Sequence, residues 1–284
     1  MADLALARPA ARRPLGPLWA VPPLIALALS FLYPLTLIAR AALVNESGAL
    51  DLGAALATVH SRAFLNALFN TGAIALAATA GCLMLGTTLA LILAFVPFPG
   101  ASIIARLIDT FIALPTFLVT LAFTFLYGSA GMLNGALTQI FGFTEPPVHF
   151  LYTAWGVILA EVTVYSPFVL RPLLAAFSLI DQSQIEVAAL LGARPWRIVR
   201  TIILPAALPA AIAGGSLCLL LTVNEFGIVL FIGAKGVITL PLLIYDKAIQ
   251  ESEYQAACAI AIVNVALSLG LFSFYRLAAG RLGG

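Results

Sequence analysis

The sequence predicts an all-α polytopic membrane protein with six transmembrane helices. Two observations predict this fold class. Hydrophobic residues make up 62% of the 284 residues and charged residues only 9%, which is too little polar surface to cover a soluble globule but suits a chain whose exterior meets lipid. The charged residues also leave long gaps, and an apolar stretch of roughly 20 residues is long enough to cross a bilayer as a helix.

Six such gaps place the predicted spans in order along the chain. They lie near residues 17–38, 68–95, 107–127, 151–173, 204–223 and 256–277. The second span is closed by prolines and a glycine at 97–100, and the third ends at a predicted loop over 128–142. Residues 233–249 are apolar but are broken by Gly236 and Pro241. We therefore predict a re-entrant or interfacial segment there rather than a seventh span.

Lysine and arginine residues set the predicted orientation, because basic residues are retained on the cytoplasmic side of a membrane. With the N-terminus inside, ten basic residues fall on the cytoplasmic side and four fall outside. The cytoplasmic set is Arg8, Arg12, Arg13, Arg106, Arg171, Arg194, Arg197, Arg200, Arg276 and Arg281, and the outer set is Arg40, Arg62, Lys235 and Lys247. We therefore predict a multi-pass protein with cytoplasmic N- and C-termini.

The longest predicted cytoplasmic connection, about residues 174–203, contains a polar helical segment. Asp181 is a suitable N-cap for a short helix, and Gly192 suits the left-handed position that ends one. Pro195 then opens a second helix at its first turn, where a missing N–H costs nothing. The product is a helix-turn-helix beneath the membrane. Small apolar residues at i, i+3, i+4 spacing form a stripe on its first helix: Ile185, Ala188 and Ala189.

Three interpretations of this helix pair follow from its residues. The apolar stripe could enter a groove on another protein. Arginines recur every three residues beside the stripe, at Arg194, Arg197 and Arg200, and they could instead meet only the phosphates of membrane lipid. A DNA-binding role is disfavoured, because a segment tethered between two spans could not readily enter a groove of the duplex. No nucleic-acid partner is therefore expected.

The same loop resembles a known family motif. The family pattern is E-A-A, three residues, G, nine residues, I-x-L-P. The matching positions are Glu186, Ala188, Gly192, Ile202, Leu204 and Pro205. One position departs from the pattern, where Val187 replaces the first alanine. On this motif the chain is identified as a member of the binding-protein-dependent ABC import permeases, with the resemblance covering about residues 66–275.

The resemblance implies a type I ABC importer permease fold in the bacterial cell inner membrane. Residues 1–65 would hold the cytoplasmic N-terminus, the first span and a periplasmic loop. Residues 66–275 would form the transmembrane domain, with a coupling loop at about 180–205, and residues 276–284 a cytoplasmic tail. Two permease subunits, identical or related, would pack as a dimer around the translocation path, and a periplasmic substrate-binding protein would deliver the solute.

The resemblance also implies that the coupling loop docks on a separate cytoplasmic ATPase. Carried over by position, the contact residues are Glu186, Ala188, Ala189 and Gly192. The chain contains no G-x-x-x-x-G-K-[ST] phosphate loop. ATP hydrolysis therefore belongs to a partner chain, and we expect no enzyme activity here.

Two polar patches in the spans are candidates for the solute path. The first contains Glu161 and Tyr165 in the fourth span, and the second is formed by Asn224 and Glu225 at the outer end of the fifth. A charge at mid-membrane costs about 2.5–3.5 kcal/mol on insertion scales, so Glu161 must face a wet or protein-lined interior. These residues either line the path or pair between helices or with the partner permease.

The solute is suggested by one segment. Residues 233–249 are similar to the corresponding region of permeases from 2-aminoethylphosphonate importers, and more loosely to those for ferric iron, thiamine and polyamines. A zwitterion with an ammonium group could use Glu161 or Glu225, and so could a polyamine, so the similarity alone favours the phosphonate. A secondary transporter would also have about six spans but would have no reason for the cytoplasmic helix pair. No catalytic residue, metal site or cofactor is expected.

Overall fold

The computed structural model describes residues 16–44 and 48–282, and their regular structure is helical apart from one isolated bridge between Val44 and Leu50. Within this described part, six helices are long and apolar enough to cross a membrane. They are the first span, Trp19–Leu43, the second, Arg62–Phe95, the third, Thr116–Phe141, the fourth, Ala154–Phe177, the fifth, Pro195–Val223, and the sixth, Tyr254–Tyr275. The predicted fold class and number of spans are confirmed.

The third span differs from its prediction. One helix over 107–127 followed by a loop over 128–142 was expected, and both expectations are wrong. The chain forms Ala101–Ala113, breaks at Pro115, resumes as Thr116–Tyr127 and continues as Met132–Phe141 after a short interruption. Proline lacks an N–H and disfavours helical geometry in the residue before it, so it ends the first of these helices. The break lies inside an apolar run, where hydropathy gives no sign of it.

The two ends of the bundle carry different connections. We call the end that holds residues 178–194 the loop end. The opposite end holds the short helix Leu52–Val59 and residues 246–253. Because the six spans alternate in direction, both ends of the described chain lie at the loop end. Three basic residues used in the orientation prediction, Arg8, Arg12 and Arg13, lie outside the described residues.

The fourth span is the centre of the core. In its most apolar stretch 61% of the residues are buried, against 28% or less in the other spans. The second and fifth spans pack against it through glycines. A Cβ on Gly81 would lie 2.5 Å from Cγ2 of Val162, and a Cβ on Gly214 would lie 2.8 Å from Cα of Val169. These glycines therefore let helix backbones approach closely, as small residues do in membrane bundles.

The first span lies at the periphery of the bundle. It packs along the sixth span, but none of the residues in its most apolar stretch is buried. Large side chains such as Trp19 and Phe31 are exposed on its surface. This span is therefore an addition to the packed core rather than a part of it, and its apolar exterior suits contact with lipid.

The fifth span begins earlier than predicted, at Pro195 instead of about residue 204. Its helix widens into a π turn over Val199–Ile203 and then continues as Leu204–Val223. The widening has a local cause. Pro205 has no N–H to donate to the carbonyl of Thr201, and its ring would press against that carbonyl in a regular helix. The span therefore continues through its prolines without breaking.

Candidate functional site

The predicted loop helix is present as Gln182–Leu190. Asp181 caps it, because its Oδ1 accepts a hydrogen bond of 3.0 Å from the backbone N–H of Ser183. Hydrogen bonds from the backbone and side chain of Ser183 hold the pKa of the Asp181 carboxyl below its usual value. The cap satisfies an N–H that the first turn of a helix leaves unpaired, so the start of this helix is fixed by its own sequence.

The turn after the loop helix is built on Gly192. Its φ is +82°, a left-handed conformation that glycine adopts without a steric penalty. The N–H of Gly192 donates to the carbonyl of Ala189 at 2.9 Å, and the N–H of Ala193 donates to the carbonyl of Ala188 at 3.0 Å. This pattern is a Schellman motif. Pro195 then begins the next helix, so the predicted helix-turn-helix is confirmed.

The side chains that the loop helix exposes are not the predicted ones. Ile185 and Ala188 are half-buried against the protein's own core, whereas Ala189 is exposed. The expectation that these three side chains share one free apolar face is therefore wrong. The exposed apolar side chains are instead those of Leu190 and Leu191, which are 87% and 84% exposed. Glu186, Val187 and Trp196 are exposed as well.

The rest of the motif joins the loop to the fifth span. Ile202 is half-buried against the core and Leu204 is also half-buried, while Pro205 is exposed. Between them, Ile203 is 2% exposed. The loop is therefore attached to the bundle by apolar packing along one unbroken helix, and this attachment makes the connection stiff.

The two predicted polar patches meet in one buried cluster. The hydroxyl of Tyr165 donates a hydrogen bond to Oε2 of Glu225, and the N–H of Ile228 donates to its Oε1 at 2.8 Å. Both side chains are buried. The pairing between helices is thus observed for Tyr165 and Glu225. Glu161 is 1% exposed, and its Oε2 has no hydrogen-bond partner among the described residues.

Asn224, at the end of the fifth span, contacts two polar residues of the sixth span. Its Nδ2 donates to the carbonyl of Leu220 at 2.8 Å and to Oγ of Ser268 at 3.0 Å. Its Oδ1 accepts from Nδ2 of Asn264 at 3.1 Å. We call Asn224, Asn264 and Ser268 the amide cluster. Sequence reasoning missed Asn264 and Ser268, because each is a single polar residue within an apolar run and has no local pattern around it.

The amide cluster lies deep in the bundle. At 1.5 Å per residue, Asn264 and Ser268 lie about 15 Å and about 21 Å along the sixth span from Tyr254, near the middle of a hydrocarbon layer of about 30 Å. On the same measure Tyr165 lies about 16 Å along the fourth span from its start at Ala154. Asn224 and Glu225 directly follow Val223, the last residue of the fifth span, so the prediction that they lie at the end of this span is confirmed. That end lies beside the middle of the sixth span.

Comparison with known proteins identifies the family. Residues 86–283 match the family described as binding-protein-dependent transport system inner membrane component. The chain belongs to this family. It is a multi-pass permease subunit of an ABC importer and not its catalytic component, so the family resemblance carried by residues 186–205 is confirmed. The domain boundaries predicted at 65/66 and 275/276 remain predictions.

Individual relatives agree with this assignment. The chain is 60% identical over 281 residues to PhnU of Salmonella typhimurium, a permease named for a 2-aminoethylphosphonate transport system, covering 99% of this chain and 98% of PhnU. It is 31% identical over 202 residues to the sulfate transport system permease CysT of Escherichia coli, covering 70% of each. A bacterial ABC transporter involved in alginate import has a similar fold, with a TM-score of 0.78, 20% identity and coverage of 94% of this chain and 96% of that one.

Proposed function

We propose that this permease imports 2-aminoethylphosphonate. The similarity to PhnU carries the proposal, because 60% identity extends over almost the whole of both chains. The sulfate permease is 31% identical over 70% of the chain. Sulfate is therefore the main competing candidate for the solute. The resemblance of residues 233–249 to permeases for the same phosphonate supports the proposal from the sequence alone.

The proposed orientation places the loop end in the cytoplasm, with both termini on that side. The excess of arginines in the loop-end connections supports it. In this orientation residues 246–253 and the helix Leu52–Val59 face the periplasm, where a substrate-binding protein delivers the solute. A solved alginate importer is described in complex with a solute-bound periplasmic protein, which gives this arrangement a parallel. A second permease subunit, identical or related, completes the path.

The loop helix is the proposed contact with the ATPase. Glu186, Ala189 and Gly192 are exposed at its surface, next to the exposed leucines Leu190 and Leu191. Large apolar side chains exposed in water at the end of a helix suit a protein groove rather than solvent. Ala188 supports the turn through its backbone carbonyl, so its proposed part is to hold the helix end in shape.

The fifth span offers a direct mechanical connection to the polar cluster. Its helix runs from Pro195 to Val223, a length of about 42 Å at 1.5 Å per residue. Closure of two ATPase subunits on ATP would move the loop helices, and each stiff fifth span would carry that movement to Asn224 and Glu225 at its far end. The helix is continuous through the π turn and Pro205, so no break in the backbone interrupts this connection.

Reconstitution tests this proposal. The permease, its ATPase and its binding protein are placed in liposomes, and ATP-dependent uptake of radiolabelled 2-aminoethylphosphonate is measured against competition by sulfate, thiamine, putrescine and ferric iron. We expect uptake that only unlabelled 2-aminoethylphosphonate suppresses. Suppression by another solute would reassign the substrate. Uptake that persists with a hydrolysis-deficient ATPase would contradict an ATP-driven importer and favour a secondary transporter.

A further inference from the structure

We propose that the amide cluster of Asn224, Asn264 and Ser268 is a subsite that receives the ammonium end of the solute half-way across the membrane. The inference rests on the proposed function for the identity of the solute. It adds two residues, Asn264 and Ser268, and a chemical role that the proposed function does not assign.

An interrupted helix creates the subsite. The fifth span ends at Val223, beside the middle of the sixth span, and the chain continues as the short helices Gly227–Ile232 and Leu240–Tyr245. Non-helical backbone at membrane depth is tolerated only where protein buries it or where it lines a water-filled cavity. Transporters place solute sites at such helix ends. The end of the fifth span meets this condition, and Asn224 is the residue that follows it.

Asn224 is exposed, unlike the neighbouring buried pair of Tyr165 and Glu225. Glu225 is 8% exposed, whereas Asn224 is exposed on the surface of the subunit and Ser268 is half-exposed. A polar side chain near mid-depth is costly against lipid. The face that carries Asn224 is therefore turned toward water in the path or toward the second permease subunit, which borders the same path.

One hydrogen-bond acceptor in the amide cluster has no partner in the part of the chain that the structure describes. Asn264 is 8% exposed, its Nδ2 donates to Asn224, and its buried Oδ1 has no partner among the described residues. A buried amide oxygen without a partner is unfavourable by about 1–3 kcal/mol, so a group that donates a hydrogen bond would be stabilised there. Ser268 Oγ already accepts from Nδ2 of Asn224 at 3.0 Å, and its hydroxyl donates to Oδ1 of Asn224 at 3.3 Å, so Oδ1 of Asn264 is the open acceptor of the cluster.

The charges nearby select a cation rather than an anion. Both oxygens of Glu225, the residue after Asn224, already accept hydrogen bonds, so its carboxylate supplies negative potential without being the direct ligand. Within the fourth and fifth spans the arginines Arg171, Arg197 and Arg200 lie toward the loop end. Among the described residues the cluster thus has an open acceptor and a negative neighbour, and these arginines are too far toward the loop end to meet a phosphonate there, so the cluster recognises the amine end of the solute.

Thiol labelling tests the wet and cation-selective character of the site. Asn224→Cys is introduced into the assembled transporter in membranes and treated with aminoethyl or sulfonatoethyl methanethiosulfonate. Leu269→Cys is the matched control, because Leu269 is next to Ser268 and 60% exposed but lies outside the cluster. Labelling of the wild-type chain gives the background from its native cysteines. Two of these, Cys82 and Cys218, are fully buried.

We expect the ratio of the cationic to the anionic labelling rate at Asn224→Cys to exceed the ratio for a free thiol in solution by about tenfold, because a negative potential concentrates the cation at the site. Labelling should slow when 2-aminoethylphosphonate and ATP are present, and Leu269→Cys should stay unlabelled. Equal rates for the two positions, or a ratio of the two reagents no higher than that for a free thiol, would overturn the proposal. Because this measurement leaves Asn264 intact, it does not depend on how a substitution there folds.

Asn264→Leu tests the acceptor itself, since leucine has nearly the shape of asparagine without its polar atoms. We expect uptake of 2-aminoethylphosphonate to fall about tenfold while binding-protein-stimulated ATP hydrolysis persists, as loss of one charged hydrogen bond would produce. Val265→Leu, on an exposed apolar position of the same helix, should transport normally. Normal uptake by Asn264→Leu would overturn the subsite. Absence of 2-aminoethylphosphonate uptake by the wild type would instead contradict the proposed function.

Discussion

The hydroxyl of Tyr165 donates a hydrogen bond to the carboxylate of Glu225, 60 residues later in the chain. This bond joins the central fourth span to the turn at the end of the fifth span. Glu225 also accepts from the N–H of Ile228, so one buried carboxylate holds together a span, a turn and the short helix that follows. The far end of the fifth span is therefore anchored at the depth of the amide cluster.

Removal of the Tyr165 hydroxyl should destabilise the permease. Tyr165→Phe leaves Oε2 of Glu225 buried without its donor, at a cost of about 1–3 kcal/mol. The thermal unfolding of the purified protein in detergent measures the loss. A double-mutant cycle separates the bond from its surroundings: in a Glu225→Leu background the same tyrosine substitution should have little effect. An equal loss in both backgrounds would show that the hydrogen bond is not the cause.

The contact at Gly214 gives a second stability prediction. A Cβ there would lie 2.8 Å from Cα of Val169 and 2.9 Å from the carbonyl oxygen of Phe168, so only backbone could yield. Gly214→Ala should therefore cost about 1–3 kcal/mol by overpacking and lower the thermal midpoint. Gly270→Ala is the control, because nothing lies within 4 Å of its Cβ position and alanine favours a helix. Equal midpoints for the two variants would refute this packing.

Local chemistry explains what the sequence predicts well. The loop helix begins at a residue whose side chain caps it and ends at a glycine with positive φ, and both features belong to residues within a few positions of the helix. The number of spans follows in the same way from the count of long apolar stretches. For these elements the determining contacts are close in the sequence, so Asp181 and Gly192 could be assigned without a structure.

Contacts between distant residues explain what the sequence does not predict. Tyr165 with Glu225, and Asn224 with Asn264, are 60 and 40 residues apart, and no periodic pattern links them. The i, i+3, i+4 spacing correctly places Ile185 and Ala188 on one face of a helix, but it cannot say that the protein's own core covers that face. The early start of the fifth span at Pro195 is also hidden from a search for charge-free stretches, because Arg197 and Arg200 lie within it.

The left-handed turn should be necessary for transport but not for insertion. At Gly192 nothing lies within 4 Å of the position that a Cβ would take, so a substitution acts through backbone strain alone. Gly192→Val should disrupt the turn, because a left-handed conformation costs an ordinary residue about 1–2 kcal/mol and is least tolerated by β-branched ones. Gly192→Asn should retain most uptake, since asparagine adopts this conformation readily. Comparable uptake by the two variants in proteoliposomes would show that the turn geometry is dispensable.

Photo-crosslinking at Leu190 tests most directly whether the loop helix is the contact with the ATPase. A benzoylphenylalanine is placed at Leu190, which is 87% exposed at the loop end, or at Leu56, which is 58% exposed on the opposite-end helix Leu52–Val59. Inner membranes that contain the whole transporter are then irradiated. We predict a covalent adduct between position 190 and the ATPase chain and none from position 56. An ATPase adduct from position 56, or its absence at position 190 in an active transporter, would contradict the account.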